Sequence, residues 1–124
     1  MSATILIADD ELGTVQALEK RLNEAGYQTF TAQDGYAALS KAKVANPDLI
    51  LLDIMIRGMH GMEIKRRLNQ EESTVNIPIV FLTDKRSADQ QIREYLLKAD
   101  DYFTKPFDFQ EIIARVDQIS ARRK

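Results

Sequence analysis

At 124 residues the chain is the size of one domain, long enough to bury a core without crosslinks. It has no cysteine and one histidine, which excludes disulfides and thiolate metal sites and makes a structural zinc centre a poor reading. Its 17 basic and 19 acidic residues are interspersed and sum to a formal net charge of −2, which provides no electrostatic footprint for direct nucleic-acid binding.

The first apolar run, Ile5-Leu6-Ile7-Ala8, stops at Asp9-Asp10-Glu11, so the start of the chain does not read as a signal peptide. No apolar stretch approaches the roughly 20 residues that span a bilayer, and the expectation is a cytoplasmic protein with no membrane contact. Leu12, Val15, Leu18, Leu22 and Ala25 then recur at helical spacing, and Gly26 offers the left-handed residue that commonly closes a helix. Tyr27 to Thr31 alternates like a short strand. Asp34-Gly35 turns into a second helix containing Ala38, Leu39, Ala42 and Val44, which Asn46-Pro47 stops. A third strand, Leu49-Ile50-Leu51-Leu52, ends at Asp53, and Gly58 and Gly61 bracket a loop before a helix with Met62, Ile64 and Leu68. Pro78 opens a fourth strand, Ile79 to Leu82, where a missing N–H is tolerated. A fourth helix is expected through Ile92, Tyr95 and Leu96, a short fifth strand at about Asp101 to Thr104, and a last helix with Ile112, Ile113, Val116 and Ile119 on one side. Five strands and five helices in strict alternation predict an α/β fold with a doubly wound parallel sheet. Repeats, low-complexity stretches and linkers are lacking.

The unbroken apolar runs read as parallel strands covered on both faces. Parallel strands share an end, and the carboxyl edge of an open α/β sheet is where ligands bind. With the first and third strands side by side, that edge gathers Asp9, Asp10 and Asp53. Three such carboxylates repel one another and are tenable with a hard cation such as Mg²⁺ or a shared proton between them. The fourth strand brings Thr83 and Asp84 to the same edge, and the fifth brings Thr104, Lys105 and Pro106. Three carboxylates, a hydroxyl and a primary amine match the needs of phosphoryl transfer: a carboxylate nucleophile, a cation to neutralise oxygens, and donors to hold the transferred group.

In its motifs the chain resembles the receiver domain of two-component response regulators over essentially its whole length. These are Ile5-Leu6-Ile7-Ala8-Asp9-Asp10-Glu11, Leu51-Leu52-Asp53-Ile54-Met55 with Gly58 and Gly61, Phe81-Leu82-Thr83, and Asp101-Tyr102-Phe103-Thr104-Lys105-Pro106-Phe107. The resemblance implies a flavodoxin-like sheet of order 2-1-3-4-5 and one receiver domain over residues 1–124, with no effector domain in this chain. It implies that Asp53 is the phosphoacceptor for a sensor histidine kinase or a histidine phosphotransfer protein. Asp10, Asp53 and the Met55 backbone carbonyl resemble the direct Mg²⁺ ligands, with Asp9 acting through water. Thr83 and Tyr102 resemble the switch pair that changes the surface of the fourth helix, fifth strand and last helix. Lys105 resembles the lysine that contacts the phosphoryl group, with a cis bond to Pro106. Such a protein is a regulator that catalyses only its own phosphorylation and dephosphorylation.

The chain departs from the pattern at Arg57, where proline is usual, at His60, where an acid is common, at Asp84, where a small residue follows the switch threonine, and at Lys98, where glycine commonly ends the fourth helix. Arg57 and His60 read as solvated loop residues. Met55, Met59 and Met62 offer a soft partner surface, with Met62 turned to the core. Asp101, Glu111 and Arg115 resemble, in part, the charges with which receivers attached to winged-helix domains form homodimers on phosphorylation, although Gln91 stands where a basic partner is expected. Two other classes compete. A pseudo-receiver would bind without phosphorylation, but such modules typically lose the acid pair, the acceptor or the lysine, all kept here. A phosphohydrolase of the haloacid-dehalogenase type needs a second acid where this chain has Met55, and Walker and Rossmann motifs are absent.

Overall fold

The strand Leu49–Asp53 is buried at all five residues, as expected of a central parallel strand with helices on both faces. The computed structural model describes residues 3–84 and 101–122 of the chain. Its strands are β1 (Thr4–Ala8), β2 (Gln28–Ala32), β3 (Leu49–Asp53), β4 (Ile79–Asp84) and β5 (Asp101–Lys105). They form one sheet of order β2-β1-β3-β4-β5 in which every pairing is parallel, the flavodoxin-like arrangement implied by the family resemblance. Its helices are α1 (Leu12–Glu24), α2 (Gly35–Ala45), α3 (Gly61–Leu68) and a last helix, Phe109–Arg122. These are four of the five expected, among the described residues. The helix expected through Ile92, Tyr95 and Leu96 lies outside those residues, as do Gln91, Lys98 and the side chain of Asp101.

The period-2 alternation of strand side chains divides the core in two. Leu6, Ile50, Leu52, Ile79 and Phe81 face α2 and α3, whose Ala38, Leu39, Ala42, Ile64 and Leu68 complete one buried cluster. Ile5, Ile7, Leu49, Leu51, Val80 and Leu82 face the other way, against Val15, Leu18 and Leu22 of α1 and Ile112, Val116 and Ile119 of the last helix. Among the described residues no helix is long and apolar enough to cross a membrane.

The helix ends follow local chemistry. Asp34 caps α2 by accepting the Ala37 N–H at 2.8 Å, and Asn46 closes the same helix in the left-handed conformation at φ 45°. Gly26, at φ +97°, supplies the left-handed turn after α1. Three residues counted into helical apolar faces do not reach the core, one of them Ala25, which is exposed just past the end of α1. Val44 is 86% exposed near the end of α2, and Leu12 is half exposed at the first position of α1, where the core-facing stripe begins only at Val15.

Candidate functional site

β1 and β3 are neighbours in parallel register, with Ala8 opposite Leu52, so the residues that follow them leave the sheet together. Asp9, Asp10 and Asp53 each offer a carboxylate oxygen within 4.8 Å of the others. Each carboxylate also has one oxygen held by a backbone N–H. Glu11 donates to Asp9 Oδ1 at 2.9 Å, Met55 to Asp53 Oδ1 at 3.2 Å, and Arg57 to Asp10 Oδ2 at 3.0 Å. Asp9 is fully buried, and its Oδ2 has no hydrogen-bond donor among the described residues apart from the Lys105 ammonium 2.8 Å away.

Lys105 ends β5 and reaches across β4 to this cluster. Its Nζ also lies 3.9 Å from Asp53 Oδ2. Burial works against the ammonium, but Asp9 and Asp53 outweigh it and hold the Lys105 pKa above its ordinary value. Asp53 is the strained partner. Burial, then the Asp9 carboxylate and more weakly Asp10, push it up from 3.8 to about 6, while Lys105 and the Met55 N–H pull the other way. Near neutral pH it is still mostly ionised, in a pocket where, among the described residues, one ammonium faces three acids. An all-oxygen donor set with this charge imbalance suits a hard divalent cation better than a transition metal. The residues present therefore fit a Mg²⁺-type ion held among the three carboxylates.

Thr83 is buried at the end of β4, next to Leu82, which is in register with Asp53, and its hydroxyl donates to the Asp84 carbonyl at 3.4 Å. Tyr102 pairs in register with Phe81 and Thr104 with Thr83, so Tyr102 and Thr83 lie on the same face of the sheet by strand alternation. The Tyr102 side chain is 42% exposed. The Lys105–Pro106 bond is cis, as the resemblance implied. Asp84 is exposed and in register with Lys105, and with Glu11, Thr14, Lys105 and Phe107 it lines a cleft of about 480 Å³ beside the carboxylates.

The β3–α3 loop corrects the readings of Met59 and His60 and adds a backbone role at Arg57. Met59 is buried, 6% exposed, and takes no part in a partner surface, because its backbone packs on Gly35 where a Cβ would meet the Met59 oxygen at 2.4 Å. Met55 is the exposed member of the three methionines, and Met62 packs partly buried against the core. His60 is no idle loop residue: its Nδ1 accepts the Met62 N–H at 3.1 Å and caps α3. Arg57 is exposed at its side chain, but its backbone is engaged at both ends, with the N–H on Asp10 and the carbonyl accepting from Gly35 at 2.7 Å. A search for functional side chains overlooks such backbone donors. Gly61 did carry a signal: a Cβ there would come within 2.8 Å of Ile54 Cα, so the loop that leaves Asp53 can fold back only over a glycine.

Known proteins share both the fold and the pattern. The family model of the response regulator receiver domain matches residues 5–117. The chain is 42% identical over 119 residues to the phosphate regulon transcriptional regulatory protein PhoB of Pseudomonas aeruginosa, covering 96% of this chain and 52% of that protein. It is 41% identical over 122 residues to the alkaline phosphatase synthesis transcriptional regulatory protein PhoP of Bacillus subtilis, covering 98% and 50%. The chain thus spans about half the length of the curated relatives it matches. Among solved structures, the Francisella response regulator 1452 receiver domain superposes with a TM-score of 0.86 at 31% identity, covering 99% of this chain and 100% of that one. The signal receiver domain of a signal transduction histidine kinase from Syntrophus aciditrophicus gives 0.88 at 29%, covering 99% and 93%. Acid cluster, lysine and sheet order sit inside the matched span, and the chain belongs to the response regulator receiver domain family of two-component signal transduction.

Proposed function

We propose that Asp53 accepts a phosphoryl group from the phosphohistidine of a sensor histidine kinase or histidine phosphotransfer protein, and that the acyl phosphate switches the surface around β5 and the last helix. The observation that carries this reading is the placement of Asp53: a nearly buried carboxylate at the end of the central strand, flanked by two acids and facing the Lys105 ammonium. A carboxylate oxygen of Asp53 attacks phosphorus, the bond from phosphorus to the donor imidazole nitrogen breaks, and the imidazole leaves. The Met55 N–H keeps the carboxylate oriented during the attack. Lys105, held in place by Asp9, carries a proton-rich donor to the incoming oxygens, and Thr83 supplies a hydroxyl at the neighbouring strand end.

Asp10, Asp53 and the Met55 backbone carbonyl are the groups we assign to Mg²⁺, with Asp9 through water. The bound ion supplies positive charge that offsets the carboxylates and the transferred oxygens. Thr83 and Tyr102 are assigned as the switch pair. Inverting a 1:99 population of output states takes about 5.5 kcal/mol, within the reach of a few charge-assisted hydrogen bonds. On this reading residues 1–124 act as one receiver unit in the cytoplasm, a regulator that catalyses only its own phosphorylation and dephosphorylation. Transcriptional control is the output we infer from the regulators it resembles, with direct DNA contact falling outside this domain and a homodimer as one route to it. Glu111 lies on the last helix for such a contact, as does Arg115, which donates to Gln118 at 3.2 Å. Transfer from a phosphorylated histidine donor to the wild type, abolished by Asp53→Asn and by EDTA, is the expected result. Undiminished transfer to Asp53→Asn would sink the assignment.

A further inference from the structure

The three carboxylates of the site are oriented by different kinds of restraint. Asp9 and Asp53 each take their N–H from two residues further along the same loop, Glu11 and Met55, so these bonds hold each loop to itself. Asp10 takes its N–H from Arg57, 47 residues away, and that bond ties the loop after β1 to the loop after β3. Arg57 is itself fixed from the other side. Its carbonyl accepts the Gly35 N–H at 2.7 Å, at the start of α2, where Asp34 caps the helix through the Ala37 N–H. Gly35 is pressed so closely on Met59 that a Cβ would lie 2.4 to 2.7 Å from three Met59 atoms, and Gly58 between them adopts φ +92°. Residues 57–59 therefore have little freedom to drift away from α2, and the Arg57 N–H is aimed at Asp10 Oδ2 by the fold.

We propose that the Arg57 backbone N–H is a positioning donor for the cation site, fixing the Asp10 carboxylate so that its Oδ1 is presented to the metal. The inference rests on the assignment of Asp10 as a Mg²⁺ ligand. Arg57 stands where proline is usual in the family, and proline has no N–H to give, so this donor is a feature of this chain's own sequence. Outer-sphere partners of metal ligands are worth about 10- to 100-fold in metal affinity, and a neutral backbone donor at an exposed loop belongs at the lower end. The guanidinium plays no part in the argument, because the side chain is exposed and the bond is made by the main chain.

The test compares Arg57→Pro with Arg57→Ala, which share the loss of the guanidinium and differ in the N–H. Mg²⁺ affinity is measured by calorimetry, with thermal melts in EDTA as the readout of fold alone. Arg57→Pro is expected to bind Mg²⁺ about tenfold more weakly than Arg57→Ala while remaining folded. Equal affinities in the two variants overturn the proposal and leave the metal assignment standing; a wild type that binds no Mg²⁺ overturns both. Should Arg57→Pro fail to fold, amide hydrogen exchange decides. The Arg57 amide is expected to be protected in wild type and to lose that protection in Asp10→Ala, and an Arg57 amide that exchanges freely in wild type refutes the donor role.

Discussion

Replacing Asp53 with asparagine should stabilise the metal-free protein at neutral pH. Burial and the Asp9 carboxylate raise the Asp53 pKa from 3.8 to about 6, so the fold disfavours the ionised form that the unfolded chain adopts freely. The sign follows from proton binding. Between about pH 4 and pH 6 the native state holds the proton more tightly than the unfolded state, so this group lowers stability progressively as pH rises through that window, and the full loss is present at pH 7. The displacement is equivalent to about 3 kcal/mol at about 1.4 kcal/mol per pH unit, an upper bound. Asparagine keeps an acceptor for the Met55 N–H, and Lys105 keeps Asp9 at 2.8 Å when it loses Asp53 at 3.9 Å, so a net gain of about 1–2 kcal/mol is the working figure. Urea unfolding of both proteins in EDTA at pH 7.5 and pH 4.5 measures it. The asparagine protein is expected to be more stable at pH 7.5, with the difference shrinking at pH 4.5 as wild-type Asp53 gains its proton. An asparagine protein that is less stable at pH 7.5, or a gain that does not change with pH, would refute the reasoning.

Lys105→Met strands the buried Asp9 Oδ2 without its cation and is expected to cost about 2 kcal/mol in EDTA, less than the about 3–5 kcal/mol of a fully buried pair because Lys105 is partly exposed. Adding Asp9→Asn should recover most of that loss, and additive losses in the double variant would contradict the pairing. Gly61→Ala drives a Cβ into the backbone at Ile54 and should destabilise by about 1–3 kcal/mol in urea unfolding, with an unchanged midpoint speaking against the close approach. His60→Ala removes the cap of α3 and should cost about 1 kcal/mol, whereas His60→Asn, which can accept the same N–H, should stay near wild type; equal losses would deny the cap.

Most of the site was legible because strand ends in a parallel sheet are set by simple chemistry. Leu49 to Leu52 is apolar without interruption and then meets Asp53, and the same logic places Asp9 and Asp10 beside it once β1 and β3 are neighbours. Strand order was not read from hydrophobicity, which carries no information on which strand lies next to which, and came from the family resemblance. Periodicity also failed at Val44, Leu12 and Ala25, since an apolar residue at helical spacing is not obliged to face the core when it sits at a helix end. Met59 was hidden for another reason: its burial depends on a glycine 24 residues earlier making room for its backbone. The caps and clamps were the least visible layer. Histidine is not among the usual N-cap residues, and the N–H groups of Glu11, Met55 and Arg57 belong to the main chain, which side-chain motifs do not record.

Intact-mass spectrometry of the protein incubated with Mg²⁺ and a small phosphodonor, beside Asp53→Asn, tests the central claim most directly. A gain of one phosphoryl group in the wild type and none in the asparagine protein is the predicted result. A wild type that binds Mg²⁺ yet gains nothing from any donor, or an asparagine protein that gains the same mass, would contradict the account.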